Sequence, residues 1–99
     1  MVGENAKKMM TLGGGSSELK VKYEISPLQG IENYFSPASQ VTYAEGYSSV
    51  PTQNRHALLL EAVDAARKAD VVIFVGGLNK NENQDCEGAD RRSLNLPYG

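Results

Sequence analysis

The chain has 99 residues, 40% of them hydrophobic and 22% charged, which is enough for one small domain of ordinary globular composition. A formal charge of −2, from 10 Lys+Arg against 12 Asp+Glu, leaves no basic stripe for a phosphate backbone, so no nucleic-acid partner is expected. The longest apolar runs, 71–75 and 57–60, fall far short of the roughly 20 residues of a membrane span. The N-terminus holds no apolar signal-peptide core, so neither a membrane partner nor a leader is expected within this chain.

In chain order, Met1-Val2-Gly3 reads as the stump of a strand, because Gly3-Glu4-Asn5-Ala6 resembles the turn that follows one. Gly13-Gly14-Gly15-Ser16-Ser17 could present backbone amides to an anion, but it lacks the lysine and spacing of a phosphate loop. It reads instead as a flexible turn or a close backbone approach. Ser26-Pro27 opens a short helix carrying Leu28, Ile31, Tyr34 and Phe35, with serine at the cap and proline at the first helical position. Gln40 to Tyr43 alternates polar and apolar residues, as a half-buried strand does.

The strongest pattern runs from Asn54 to Asp70, where Leu58, Leu59, Ala62, Val63, Ala65 and Ala66 recur at helical spacing. Asn54 or Thr52 can cap it, and Arg67 and Lys68 fall at the end that favours positive charge. Val71-Val72-Ile73-Phe74-Val75 follows as an unbroken β-branched and aromatic run closed by Gly76-Gly77. Such a run predicts a parallel strand buried on both faces, with a neighbouring strand near Gln40 to Tyr43 joined to it by a right-handed crossover. Because apolar residues concentrate between Ala57 and Leu78, the chain reads as part of a larger core.

Residues 79 to 97 form a polar loop concentrating Glu82, Asp85, Glu87, Asp90, Arg91 and Arg92. A loop beyond the end of a buried strand is where open α/β sheets place their ligands. The group Asp85-x-Glu87-x-x-Asp90-Arg91 admits three readings: a solvated charged loop, a calcium site, for which the spacing is wrong, and a general acid. Spacing alone selects none of them. The single Cys86 and the single His56 exclude an internal disulfide and a zinc site of the usual ligand number, and no metal or cofactor is expected. Cys86 as a nucleophile would need a base beside it, and His56 lies 30 positions away at a helix start.

Several of these blocks occur together and in order: Gly3-Glu4-Asn5-Ala6, Gly13-Gly14-Gly15-Ser16-Ser17, Ser26-Pro27-Leu28-x-Gly30-Ile31, Ala69-Asp70-Val71-Val72-Ile73-Phe74-Val75-Gly76, and Glu87-Gly88-x-Asp90-Arg91-x-x-Leu94-x-Leu96-Pro97. In that combination the chain resembles glycoside hydrolase family 3. The resemblance covers nearly all of it and places it in the first half of the family's α/β sandwich domain, which follows a (β/α)8-type barrel. The fold it implies is α/β, a partial three-layer α/β/α sandwich with a mainly parallel sheet, one segment of a (β/α)6-type domain spanning residues 1–99.

The activity it implies belongs to exo-acting retaining β-glycosidases that remove terminal non-reducing β-linked sugars, with a glycoside or β-linked oligosaccharide as the partner molecule. By resemblance, Glu87 is the general acid/base and Asp90 and Arg91 support its loop, while the nucleophile is an aspartate on the barrel. Retaining hydrolysis needs two carboxyls about 5–5.5 Å apart, so the chain alone is expected to be inactive. A periplasmic or extracellular parent is implied, and an unpaired sheet edge could dimerise the segment. The competing expectation is a non-catalytic α/β interaction module whose acidic loop is merely solvated.

Overall fold

The computed structural model describes residues 1–11, 15–35, 40–50, 54–81, 84–89 and 91–96. Two α-helices and two single 3-10 turns, Glu4–Lys7 and Gly15–Ser17, are its regular elements. Helix α1 runs from Pro27 to Tyr34. The Ser26 side chain accepts a hydrogen bond from the Gln29 N–H at 3.2 Å, satisfying a donor that the first turn leaves open, and Pro27 occupies the position where its missing N–H costs nothing. Leu28 is the buried residue of this helix, which lies against the Glu4–Lys7 turn.

Helix α2 spans Arg55–Arg67. Its last turn tightens through i to i−3 hydrogen bonds, Lys68 N–H to the Ala65 carbonyl and Ala69 N–H to the Ala66 carbonyl, both 3.3 Å. That tightening ends the α-helix short of the expected Ala69 to Asp70 boundary. Leu58, Ala62, Ala65 and Ala66, spaced i, i+4, i+7 and i+8, are the residues of α2 withdrawn from solvent. Leu59, Leu60 and Val63 stay 53%, 55% and 37% exposed, so the helix buries a narrow stripe of mostly small residues.

The core is correspondingly small: Val2, Ala44 and Ala62, with Ala65 packed on it. Gly46 closes its rim at φ +72°, and a Cβ there would stand 2.9 Å from Val2 Cγ1 and 3.4 Å from Ala62 Cβ. Val2 sits between two extended segments and forms a parallel bridge with Ala44 on one side and Phe74 on the other. Val2 N–H donates to the Ile73 carbonyl and Val75 N–H to the Val2 carbonyl, both at 2.8 Å. Gly3 N–H donates to the Ala44 carbonyl and Ala44 N–H to the Met1 carbonyl, both at 3.1 Å.

Here the structure corrects the fold expectation. Among the described residues there is no strand and no sheet, only isolated bridges, so the three-layer α/β/α sandwich with a mainly parallel sheet is not what these residues form. The segment read as a strand buried on both faces is open: Val71, Val72, Ile73 and Phe74 are 74%, 47%, 40% and 66% exposed. A parallel ladder depends on apolar cover over both faces, and the narrow stripe of α2 covers only the Val2 and Ala44 positions. The segments at 40–44 and 71–75 are also not direct neighbours, because Val2 separates them.

Candidate functional site

The loop that carries Glu87 is built on a buried amide, Asn5, which is 1% exposed. Its Nδ2 donates to the carbonyls of Gly77 at 2.9 Å and Leu78 at 3.3 Å, and its Oδ1 accepts from Asn79 Nδ2 at 3.2 Å. Asn79, 3% exposed, then organises the residues after it. Its own N–H donates to Gln84 Oε1 at 3.1 Å, its Oδ1 accepts from the Asn81 N–H at 3.0 Å, and its carbonyl accepts from the Asp85 N–H at 3.1 Å. Among the described residues no buried side-chain nitrogen or oxygen lacks a partner, as a polar network must achieve to be stabilising.

A second tie starts at Glu4, whose carboxylate accepts from both the amide and the hydroxyl of Ser49 and pairs with Lys8 at 2.9 Å. Ser49 Oγ in turn accepts from Asn81 Nδ2 at 3.2 Å. Desolvation alone would raise the Glu4 pKa, but the Ser49 and Lys8 interactions outweigh it and hold the carboxyl below its ordinary range. Tyr47, whose phenol is pushed up mainly by burial, donates to the Val75 carbonyl at 2.9 Å. The root of the loop is thus fastened to the Glu4–Lys7 turn from both sides.

Glu87 occupies the tip of a turn. Ala89 N–H donates to the Cys86 carbonyl at 3.3 Å, and Gly88 between them sits at φ +85°. That is the position at which a type II turn requires a positive φ and therefore glycine. The exposed Glu87 carboxylate accepts hydrogen bonds from the Ser16 N–H at 2.7 Å and the Ser17 N–H at 3.2 Å. The Ser16 hydroxyl lies 2.7 Å from each of its oxygens. The Ser16 side chain first, then the Ser16 and Ser17 amides, hold its pKa below the ordinary carboxylate range.

Of the other residues singled out in the sequence, Arg91 lines a shallow concavity of about 390 Å³ beside the turn, together with Gln84, Asp85, Cys86 and Ala89. Asp90 lies outside the described residues, as do Glu82, Thr52, Gly13 and Gly14. Asp85 is exposed, and the Cys86 thiol is a weak donor 3.5 Å from the Glu87 carbonyl.

Sequence reasoning missed Asn5, Asn79 and Gln84 as the frame of the loop and Ser16 as a partner of Glu87. Gly3-Glu4-Asn5-Ala6 was visible as a turn, but nothing local says that its asparagine reaches more than 70 residues along the chain. The glycine and serine run at 13–17 reads in the sequence as a turn rather than an anion site, yet its Ser16 and Ser17 amides do meet an anion. The anion it meets is the chain's own Glu87.

The family model described as "Glycosyl hydrolase family 3 C-terminal domain" matches residues 1–99. The chain belongs to glycosyl hydrolase family 3. Beta-glucosidase BoGH3A of Bacteroides ovatus is 48% identical to it across 99% of the chain and 14% of that protein's length. Probable beta-D-xylosidase 7 of Arabidopsis thaliana is 33% identical across 98% of the chain and 12% of its own length. Probable beta-glucosidase K of Emericella nidulans is 43% identical over 50% of the chain and 6% of its length. The chain therefore spans about one seventh or less of these family 3 relatives.

Proposed function

We propose that this family 3 segment supplies the general acid/base of an exo-acting retaining β-glycosidase acting on terminal non-reducing β-linked sugars, and that Glu87 is that residue. The observation that carries the reading is the placement of Glu87, an exposed carboxylate at the tip of a glycine-assisted turn whose root is fixed by buried amides. A carboxyl offered in this way can be presented across a cleft to a sugar held elsewhere in the parent enzyme. Relatives named as a β-glucosidase and a probable β-D-xylosidase support the same substrate class.

The chemistry divides into two steps with opposite demands. In the first, the acid must give a proton to the departing glycosidic oxygen while a nucleophile carboxylate, supplied outside this chain, forms the glycosyl ester. In the second, the conjugate base takes a proton from water as that water attacks the ester. The serine contacts of Glu87 stabilise its ionised form, which is the form the second step uses. Donating a proton in the first step requires the carboxyl to loosen from Ser16 and Ser17.

The test compares leaving groups. In the parent enzyme, Glu87→Ala should slow substrates with poor leaving groups by roughly 100-fold or more, since proton transfer by a positioned acid contributes about 10²–10⁴-fold. Activated aryl glycosides, which depart without protonation, should lose far less in the first step. An equal and small loss across all leaving groups would remove Glu87 from the role.

A further inference from the structure

Glu87 and the Gly15–Ser17 turn lie some 70 residues apart in sequence, yet three donors of that turn converge on one carboxylate. We propose that the Gly15–Ser17 turn is a positioning cradle for Glu87, with Ser16 its principal residue, holding the carboxylate in one orientation until substrate draws it away. The catalytic consequence of the cradle rests on Glu87 as the acid/base; the cradle itself does not.

Three features argue that the contact is built rather than incidental. Ser16 engages the carboxylate through both its backbone N–H and its hydroxyl, and the hydroxyl, having a single proton, can serve either oxygen without losing its place. Gly15 makes the close approach possible. At φ +67°, a Cβ there would fall 2.5 Å from Glu87 Cβ and 2.8 Å from Oε2, so any other residue would push the glutamate out. One residue past the serines, Glu18 pairs with Lys80 at 3.1 Å, a second contact between the segment that carries the cradle and the root of the Glu87 loop.

Successive amides aimed at one point form a concavity that favours anions, and hydrogen bonds to an ionised acceptor are roughly twice as strong as neutral ones. The cradle therefore discriminates between the two forms of Glu87. It grips the carboxylate and loosens on the acid, so protonation and release occur together. The charged groups bordering it are Glu18, neutralised by Lys80, on the serine side and Asp85 and Arg91 on the turn side, while the donors that reach Glu87 are all uncharged.

The test uses the intact parent enzyme with glutamate carboxyls labelled with carbon-13, the Glu87 resonance being assigned by its loss in Glu87→Gln. Ser16→Ala should move the Glu87 titration midpoint to higher pH, and Ser16→Thr, which keeps the hydroxyl, should restore it. Because Ser16 is exposed, Ser16→Ala does not threaten folding, and Gly15→Ala provides an independent way to evict the carboxylate with the same direction of change. A Glu87 midpoint identical in wild type, Ser16→Ala and Gly15→Ala overturns the cradle. The pH profile of kcat/KM for a poor-leaving-group substrate separates the two readings. A basic limb that moves upward with the midpoint supports both the cradle and the acid role, whereas a moved midpoint with an unmoved limb supports the cradle and removes Glu87 as proton donor.

Discussion

Asn5→Ala is the perturbation whose cost the structure lets one work out most closely. The substitution removes two donors to the Gly77 and Leu78 carbonyls and the acceptor of Asn79 Nδ2. Gly77 and Leu78 are only half-buried, so water can take over part of their loss. Asn79 is buried, and its amide would be left without that partner. A buried group left unsatisfied costs about 1–3 kcal/mol, and partial losses at the two carbonyls bring the total to about 2–4 kcal/mol. That sum falls on local opening of the loop root, where each 1.36 kcal/mol is tenfold. Amides of Asn79 and Asp85, which donate within this network, should therefore lose protection by about 30- to 1,000-fold in hydrogen exchange on the intact enzyme. Amides within α2 should be little changed. Unaltered protection at Asn79 and Asp85 would refute the claim that Asn5 holds the loop.

Gly3→Ala should be strongly disruptive, because Gly3 has φ +128° and a Cβ would fall 2.2 Å from the Val75 carbonyl oxygen; the backbone conformation alone costs about 1–3 kcal/mol, and an unaltered melting temperature would contradict it. Ser26→Ala removes the Gln29 cap bond and should destabilise α1 by about 1 kcal/mol, read as faster exchange of the Gln29 and Gly30 amides. Glu4 has a folded pKa below its ordinary value, so its contribution is present above the unfolded pKa and is lost as pH falls through the folded one. The Ser49 amide should accordingly lose protection only at pH below the ordinary carboxylate range, and loss near neutrality would contradict the assignment.

How much was legible in the sequence follows from the range of each signal. Ser26-Pro27 and the apolar spacing of Leu58, Ala62 and Ala65 act over three to eight residues, and both helices form where those patterns lie. The run Val71 to Val75 failed as a predictor of burial because continuous apolarity says what a segment would bury if covered, and among the described residues the covering is confined to Val2 and Ala44. Family membership was legible because it rests on several short blocks in order, each too weak alone. The Glu87 cradle and the Asn5 anchor were not, since each joins residues about 70 positions apart and asparagine, serine and glycine are common turn residues whose local preferences reveal no distant partner. Gly15 shows the limit well. Its positive φ marks a turn, but the reason only glycine fits is the Glu87 side chain on the other side of the loop.

The measurement that bears most directly on Glu87 is azide rescue of Glu87→Ala in the parent enzyme with an activated aryl glycoside. Removing the base strands the glycosyl ester, and azide, which needs no proton removed, can attack it through the vacated space and leave as a glycosyl azide. Turnover should rise with azide concentration, with a β-configured glycosyl azide as the new product, and Asp85→Ala should show no such response. If azide changes neither rate nor product in Glu87→Ala, Glu87 is not the acid/base.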